Sequence, residues 1–444
     1  MDLLIIAGAV LCVIAVAVAY SQYHDVFHAT FLFAPMCAFI YVYMPWKLVQ
    51  SGELYSFISE DQAIFVHSVI LACLAALFYG CLRGSRPFAA AVRLPVTYDQ
   101  RTIHISAYVL GTIGFLAWAW TIRSAGGFEA AYSQAKGGGW SDFGYVREAS
   151  YLMIVGVILL LSPEGFAPKK KIWVVALLSF TLPWLIKGLL GARRGPTFVI
   201  IVTVAMSWYL ARGKRPSLMT LAAGGFGLGM LMLFLVVNRS QIHLGSDMEF
   251  NTEVTESVSK AGAANEYIFG AGCIIASRQS GNYFWGRRYL AEILVRPVPH
   301  QVWPTKYEDF GIQSIEQNGG VAATGLAEVM GWSEVPGAAG AMVADLWVEL
   351  SWLAIPACGL IGFGYGRCWR MAVTRSGYWS TQYVILALLS VYLVTQSMEA
   401  VIFRFIIISA PTLYVWRKAA RPMAARATSS FRYLQANRPL VSPR

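Results

Sequence analysis

Apolar stretches of membrane-spanning length follow one another along most of this 444-residue chain. They contain few charged residues and lack the one-sided spacing of an amphipathic helix. A helix needs about 20 mostly apolar residues to cross the hydrocarbon core of a bilayer. The sequence therefore predicts an all-α polytopic membrane protein with about eleven spans, near residues 3–20, 26–44, 62–82, 103–122, 145–162, 172–190, 196–210, 217–237, 340–365, 378–394 and 400–416.

The composition excludes a soluble protein of this size. The chain is 57% hydrophobic and only 13% charged, whereas soluble domains are about 25% charged. Six of the seven cysteines lie in or beside predicted spans, and none forms a CxxC pair. We therefore expect the cysteines to be packing residues rather than disulfides or metal ligands.

The basic residues predict an orientation. Alternate connections hold 20 of the 35 lysines and arginines but only three of the 24 acidic residues. Because positive charge accumulates on the cytoplasmic side, the N-terminus is predicted outside and the C-terminus inside. Residues 1–237 then carry eight spans, 238–339 form a large external loop with short helices, and 340–416 carry three spans. The basic cytoplasmic tail, 417–444, is expected to meet anionic membrane lipids rather than nucleic acid.

Two adjacent arginines, Arg193 and Arg194, lie on the predicted outer face, where this rule disfavours them. Pro196 favours a helix start just after them. Guanidinium groups beside a helix N-terminus suit a phosphate or diphosphate. Alternatively, the two arginines cap the preceding helix or reach lipid phosphates.

Four further arginines are candidates on the same face. Arg239 directly follows the eighth predicted span, and Arg288 and Arg296 lie in the large loop. These three could also bind a diphosphate. Arg404 lies about one turn inside the last span, and an arginine within a membrane is a functional candidate by default.

Other candidates lie in or after the large loop. Trp303 and Tyr307 could stack on sugar rings or belong to an interfacial aromatic belt. His300 is a titratable base beside basic residues, or simply polar surface. Glu328 is a carboxylate among small and apolar residues, which suits either a general base or a satisfied buried hydrogen bond. We also expect Asp345 and Glu349, four apart on one helix face, to pair with the arginines.

Several catalytic motifs are missing from the sequence. The chain has no P-loop, no D-x-D pair, no H-E-x-x-H and no G-x-S-x-G. We therefore expect neither a metal nor a nucleotide cofactor. Arginines, a few carboxylates and one histidine on the outer face point to a pocket for an anionic amphiphile.

The order of these segments resembles the O-antigen polymerase (Wzy) family, particularly the enterobacterial common antigen polymerase type. The resembling segments are "LLGARRGPTFVII", "VVNRSQ", "VPHQVWPTK", "GLAEVMGWSEVPGAAGAMVADLW" and "SMEAVIFRFII". They place Arg194, Arg239 and Arg404 at the family's arginine positions. The likeness covers most of the chain in topology but only its second half in sequence.

The resemblance implies a metal-independent, GT-C-like membrane glycosyltransferase of the bacterial inner membrane. Such an enzyme joins polyprenyl-diphosphate-linked oligosaccharide repeat units into a surface polysaccharide, as in lipopolysaccharide synthesis, at the outer face of that membrane. Arginines would stabilise the diphosphate leaving group, and Glu328 or His300 would activate the acceptor hydroxyl. The family also implies a chain-length regulator as a partner.

Two alternatives stay open at the level of sequence. An O-antigen ligase needs the same diphosphate site and transfers finished glycan to lipid A core. A lipid-linked oligosaccharide flippase or another transporter is expected to carry more charges within its spans and to show repeat symmetry.

Overall fold

The computed structural model describes residues 1–87, 96–134, 144–246, 250, 266–310, 339–375 and 377–422. Helices dominate these residues, and the only strands described are β1 (Val96–Tyr98) and β2 (Ala420–Pro422), which pair antiparallel. The helices are α1 (Asp2–Tyr23), α2 (Ala29–Ala38), α3 (Met44–Gln50), α4 (Leu54–Phe57), α5 (Glu60–Gly84), α6 (Gln100–Ser124), α7 (Phe128–Tyr132), α8 (Gly144–Ala149), α9 (Leu152–Leu160), α10 (Lys171–Leu189), α11 (Arg194–Ala211), α12 (Leu218–Val237), α13 (Glu266–Ser280), α14 (Arg287–Leu294), α15 (Lys306–Asp309), α16 (Ala341–Leu350), α17 (Ala354–Arg375), α18 (Tyr378–Thr395) and α19 (Met398–Ala419).

Ten helical segments within the described residues are long and apolar enough to cross a membrane. The chain is therefore a multi-pass membrane protein. The predicted span 145–162 is not among the ten, because Ser150 and Tyr151 interrupt it and divide it into α8 and α9. The Ser150 carbonyl accepts a hydrogen bond from the Trp184 indole at this break, and α9 is buried from Met153 to Leu160.

Two predicted spans differ from the helices observed. The second continues to Gln50 through a π-helical turn, Phe39–Tyr43, that lies between Pro35 and Pro45. The ninth, 340–365, divides at Ser351, whose φ is 52°. The helix after this break, α17, then extends to Arg375.

The outer surface of the bundle is apolar, as a lipid environment requires. The helix α12 shows this most clearly, because Leu235 is the only one of its residues that is buried. Met219 is 84% exposed and Phe226 is 73% exposed. All seven cysteines are free and buried, which confirms their predicted packing role.

Two helices, α5 and α17, pack in parallel with their backbones in contact. A Cβ atom added at Gly362 would lie 2.0 Å from the Leu77 carbonyl oxygen, and one added at Gly366 would lie 2.1 Å from that of Cys81. The contacting residues rise together along both helices, so the helices run in the same direction. Such close approach is typical of small-residue packing between membrane helices.

Candidate functional site

The turn between α10 and α11 carries Arg193 and Arg194. Its Arg193 N–H donates to the Gly188 carbonyl at 2.8 Å, and Ala192 has a left-handed φ of 45°. Arg193 caps α11 and Arg194 is its first residue, so Pro196 is the third helical residue rather than the first. Proline is tolerated there because the first N–H groups of a helix have no partner within it. The two guanidinium groups therefore lie at a helix N-terminus.

Six cationic side chains and two carboxylates interact at this end of the bundle, and we name them the cationic cluster. Lys187 lies within electrostatic range of Arg147, Arg193 and Arg404, and Arg239 lies within range of Arg193. Four arginines predicted from the sequence thus come together. The members of the cluster are Arg147, Lys187, Arg193, Arg194, Arg239, Arg404, Glu148 and Glu266.

Arg404 is held in the second turn of α19 by three groups. Its Nε donates to the Tyr151 hydroxyl at 2.7 Å, and its Nη1 donates to the Ala400 carbonyl. The guanidinium carbon lies 4.4 Å from the centre of the Tyr392 ring. These contacts fix the orientation of the guanidinium group while it also interacts with Glu148.

Arg194 forms an ion pair with Glu266, the first residue of α13. The Arg194 Nη2 and Glu266 Oε1 atoms lie 2.5 Å apart, and the carboxylate side chain is only 5% exposed. The helix α13 is buried from Glu266 to Ser277. This helix lies within the stretch 238–339 that the sequence predicts as an external loop with short helices, and its apolar residues are packed against the rest of the described chain.

Positive charge exceeds negative charge in the cationic cluster. Its six cations face two carboxylates, a surplus of four positive charges among the described residues. Burial and the neighbouring charge of Arg147 lower the pKa of Arg193. Burial and Arg194 likewise lower the pKa of Arg239. A bound anion would relieve both effects, because an opposite charge favours the charged form.

Arg288 belongs to a different group, which we name the Arg288 cluster: Arg288, Tyr289, Asp345, Glu349 and Glu399. The Arg288 side chain lies 2.5 Å from Asp345, 3.7 Å from Glu399 and in hydrogen-bond contact with Glu349. The expected pairing of Asp345 and Glu349 with an arginine is thus confirmed. Burial opposes the charge on Arg288, but the three carboxylates outweigh it and raise the pKa of the guanidinium group.

The remaining hydrogen bonds of the Arg288 cluster join three helices. Asp345 accepts from the Tyr289 hydroxyl at 2.7 Å and from the Met398 N–H at 2.9 Å. Glu349 accepts from the Gly286 N–H at 2.8 Å. Arg288 therefore connects α14 to α16 and α19, and its charge is already balanced by carboxylates.

Arg296 lies between the two clusters. Its Nη1 atom is 2.5 Å from Glu292, its Nη2 atom is 3.6 Å from Glu148, and its guanidinium carbon lies 4.0 Å above the Phe403 ring. This predicted diphosphate-binding residue thus reaches the edge of the cationic cluster. Including Arg296 and Glu292 leaves the charge surplus unchanged.

The other predicted loop residues follow α14. His300 is exposed in a turn. Trp303 is half-buried, and its indole N–H donates to Asp309 at 2.6 Å. Tyr307 packs against Val295. Glu328, the second predicted base, lies outside the described residues.

Sequence reasoning missed residues in α8 and in the loop after α14. Arg147, Glu148 and Tyr151 lie in "YVREASY", at the start of a predicted span. An Arg-Glu pair at the end of an apolar stretch is the signal that could have found them. Lys306, also missed, is buried and donates to the Val295, Arg296 and Val298 carbonyls.

Within the described residues, no three His, Cys, Asp or Glu side chains are arranged to hold a metal ion. The cations of the cluster are nevertheless placed to bind an anion without one. No protein-family model, curated protein or solved structure matches the chain. Its function is therefore proposed from its own residues and their geometry.

Proposed function

We propose that this protein polymerises polyprenyl-diphosphate-linked oligosaccharide repeat units by glycosyl transfer at the outer face of a bacterial inner membrane. The observation that carries the proposal is the charge surplus of the cationic cluster. Half-buried guanidinium groups in excess of their carboxylates favour a multivalent anion. A diphosphate carries enough charge to compensate several of them at once.

The location of the cluster favours a diphosphate attached to a lipid. Arg193, Arg194 and Arg404 lie at or near the ends of membrane-length helices. Arg239 lies two residues after the end of α12, and most of the apolar surface of α12 is open to lipid. An amphiphile could therefore place its diphosphate in the cluster while its hydrocarbon chain stays in the bilayer.

The parallel packing of α5 and α17 supports an eleven-span topology. If the ten long segments were the only crossings, strict alternation would make α5 and α17 antiparallel, since they belong to the third and eighth segments. One further crossing restores the parallel direction observed. The buried pair α8 and α9 would supply it, and the cationic cluster would then face outward as the basic-residue pattern predicts.

The proposed chemistry follows from the charge surplus. In glycosyl transfer, an acceptor hydroxyl attacks the anomeric carbon of the donor sugar, and the lipid diphosphate leaves. Negative charge grows on the departing oxygen during this step. Preorganised guanidinium groups stabilise such charge strongly in a site that excludes water.

Purified protein tests the proposal directly. Lipid-linked repeat units, extracted from a strain that lacks this gene, should be converted into a ladder of longer glycans. Loss of the gene should also leave single repeat units on lipid A core, whereas loss of a ligase leaves none. Movement of the lipid-linked unit across vesicles without new glycosidic bonds would favour a transporter and overturn the proposal.

A further inference from the structure

We infer that Glu148 is the general base that deprotonates the acceptor hydroxyl in this reaction. The inference rests on the proposed function and assigns one of its catalytic roles. Glu148 is the next-to-last residue of α8, two residues before the α8–α9 break at Ser150. It is one of two carboxylates in the cationic cluster, next to the position that a diphosphate would occupy.

The two oxygens of Glu148 have different surroundings. Oε1 lies 3.6 Å from Arg296 Nη2. Oε2 is buried and has no hydrogen-bond partner among the described residues. Buried polar atoms are nearly always paired, so an orphaned carboxylate oxygen indicates a missing donor. The hydroxyl of a bound sugar would be such a donor.

A second orphaned atom lies two residues away. The Ser150 hydroxyl is also buried without a partner among the described residues. Both atoms belong to the segment where α8 ends and α9 begins. Two unsatisfied polar groups in one short segment suit a ligand with several hydroxyl groups.

The other carboxylates nearby are already engaged. Glu266 lies 2.5 Å from Arg194, and Glu292 lies 2.5 Å from Arg296. Glu148 instead lies within electrostatic range of Lys187 and Arg404. These two cations belong to the group that would hold the diphosphate. This placement gives the base and the leaving-group site adjacent positions.

The proposed step moves one proton to Glu148 and one glycosyl group to the acceptor. The acceptor hydroxyl gives its proton to Glu148 Oε2, and its oxygen forms a bond to the anomeric carbon of the donor sugar. The bond between that carbon and the phosphate oxygen breaks, and its electron pair stays on the departing diphosphate. The cationic cluster stabilises that charge, and Glu148 later releases its proton to solvent.

Glu148→Gln tests the inference, with Glu292→Gln as a matched control that removes the other carboxylate facing Arg296. Elongation of the extracted lipid-linked units should fall about 10²- to 10⁴-fold in kcat for Glu148→Gln. Binding of undecaprenyl diphosphate should persist in this variant. The control should keep most of its kcat. Equal losses of kcat in both variants would mean that Glu148 only positions Arg296, and this result would overturn the inference.

Chemical rescue separates a base from a structural role and does not depend on the glutamine variant. Sodium formate should restore part of the elongation by Glu148→Ala, because a small carboxylate can occupy the vacated space. A purely structural loss would not respond to formate. If the wild type elongates glycans and Glu148→Gln is fully active, the role of Glu148 as base is refuted but the proposed function stands. If the wild type does not elongate glycans, the proposed function itself is refuted.

Discussion

Two charged groups at the same end of this bundle use arginine in opposite ways. In the Arg288 cluster, one arginine faces three carboxylates and joins three helices. In the cationic cluster, six cations face two carboxylates. The two groups therefore differ in the balance of charge among the described residues around each arginine, rather than in how deeply the arginines are buried.

Removal of Arg288 should give the largest effect and act on stability. Arg288→Ala leaves Asp345 and Glu349 buried without their cation, which costs about 3–5 kcal/mol. Thermal unfolding in detergent measures this loss. Arg287→Ala, which removes the exposed neighbouring arginine, should change stability little. Comparable destabilisation by both variants would show that the ion pairs of Arg288 are not its main contribution.

Removal of Arg404 should act on catalysis instead. Arg404→Ala deletes a guanidinium group that is fixed by Tyr151 and Tyr392, and elongation should fall about 10²- to 10³-fold. The folded fraction should be retained, as judged by gel filtration and thermal unfolding. A normal product ladder from this variant, with Arg194→Ala equally active, would remove the distinction between the two clusters.

The shape of the guanidinium group should matter at Arg194. Arg194→Lys keeps the charge but loses the forked donor geometry. The loss of one charge-assisted hydrogen bond, about 1.5–3 kcal/mol, should weaken undecaprenyl diphosphate binding roughly 10- to 150-fold. Equilibrium binding in nanodiscs checks this. Unchanged affinity would mean that Arg194 contributes charge alone.

His300 should give the smallest effect, since it is exposed and lies in the loop beyond both clusters. His300→Asn should change the elongation rate by less than about twofold, far below the 10²-fold minimum for loss of a general base. The same rate assay used for Glu148→Gln measures it. A hundredfold loss of elongation rate would instead support His300 as the general base, one of the two candidates that the sequence predicted.

Much of the fold was predictable because a membrane helix can be recognised from a long apolar run in the local sequence. Apolar length alone located ten of the helical segments. The break at Ser150 was not predictable, because it depends on contacts with Trp184 and Arg404 from distant helices. The division at Ser351 likewise depends on tertiary packing rather than on local composition.

The candidate site was predictable in its cations but not in their partners. Arginines that the orientation rule disfavours on the predicted outer face pointed to Arg193, Arg194, Arg239 and Arg404, and the structure brings these four residues into one cluster. The sequence could not distinguish Arg288 from these four arginines, because the three carboxylates that pair with it lie 57 or more residues further along the chain. Glu148 was overlooked because it lies within an apolar stretch.

The contact between α5 and α17 has a consequence for biosynthesis. Gly80 of α5 and Gly359 of α17 also lie in close backbone contact but far apart in the chain, so a ribosome adding about 20 residues per second makes the second roughly 14 s after the first. During that interval the glycine-lined face of α5 lacks its final neighbour and is covered only by lipid or by other helices. The contact between α5 and α17 can therefore form only late in synthesis, once α17 has been made and has entered the bilayer.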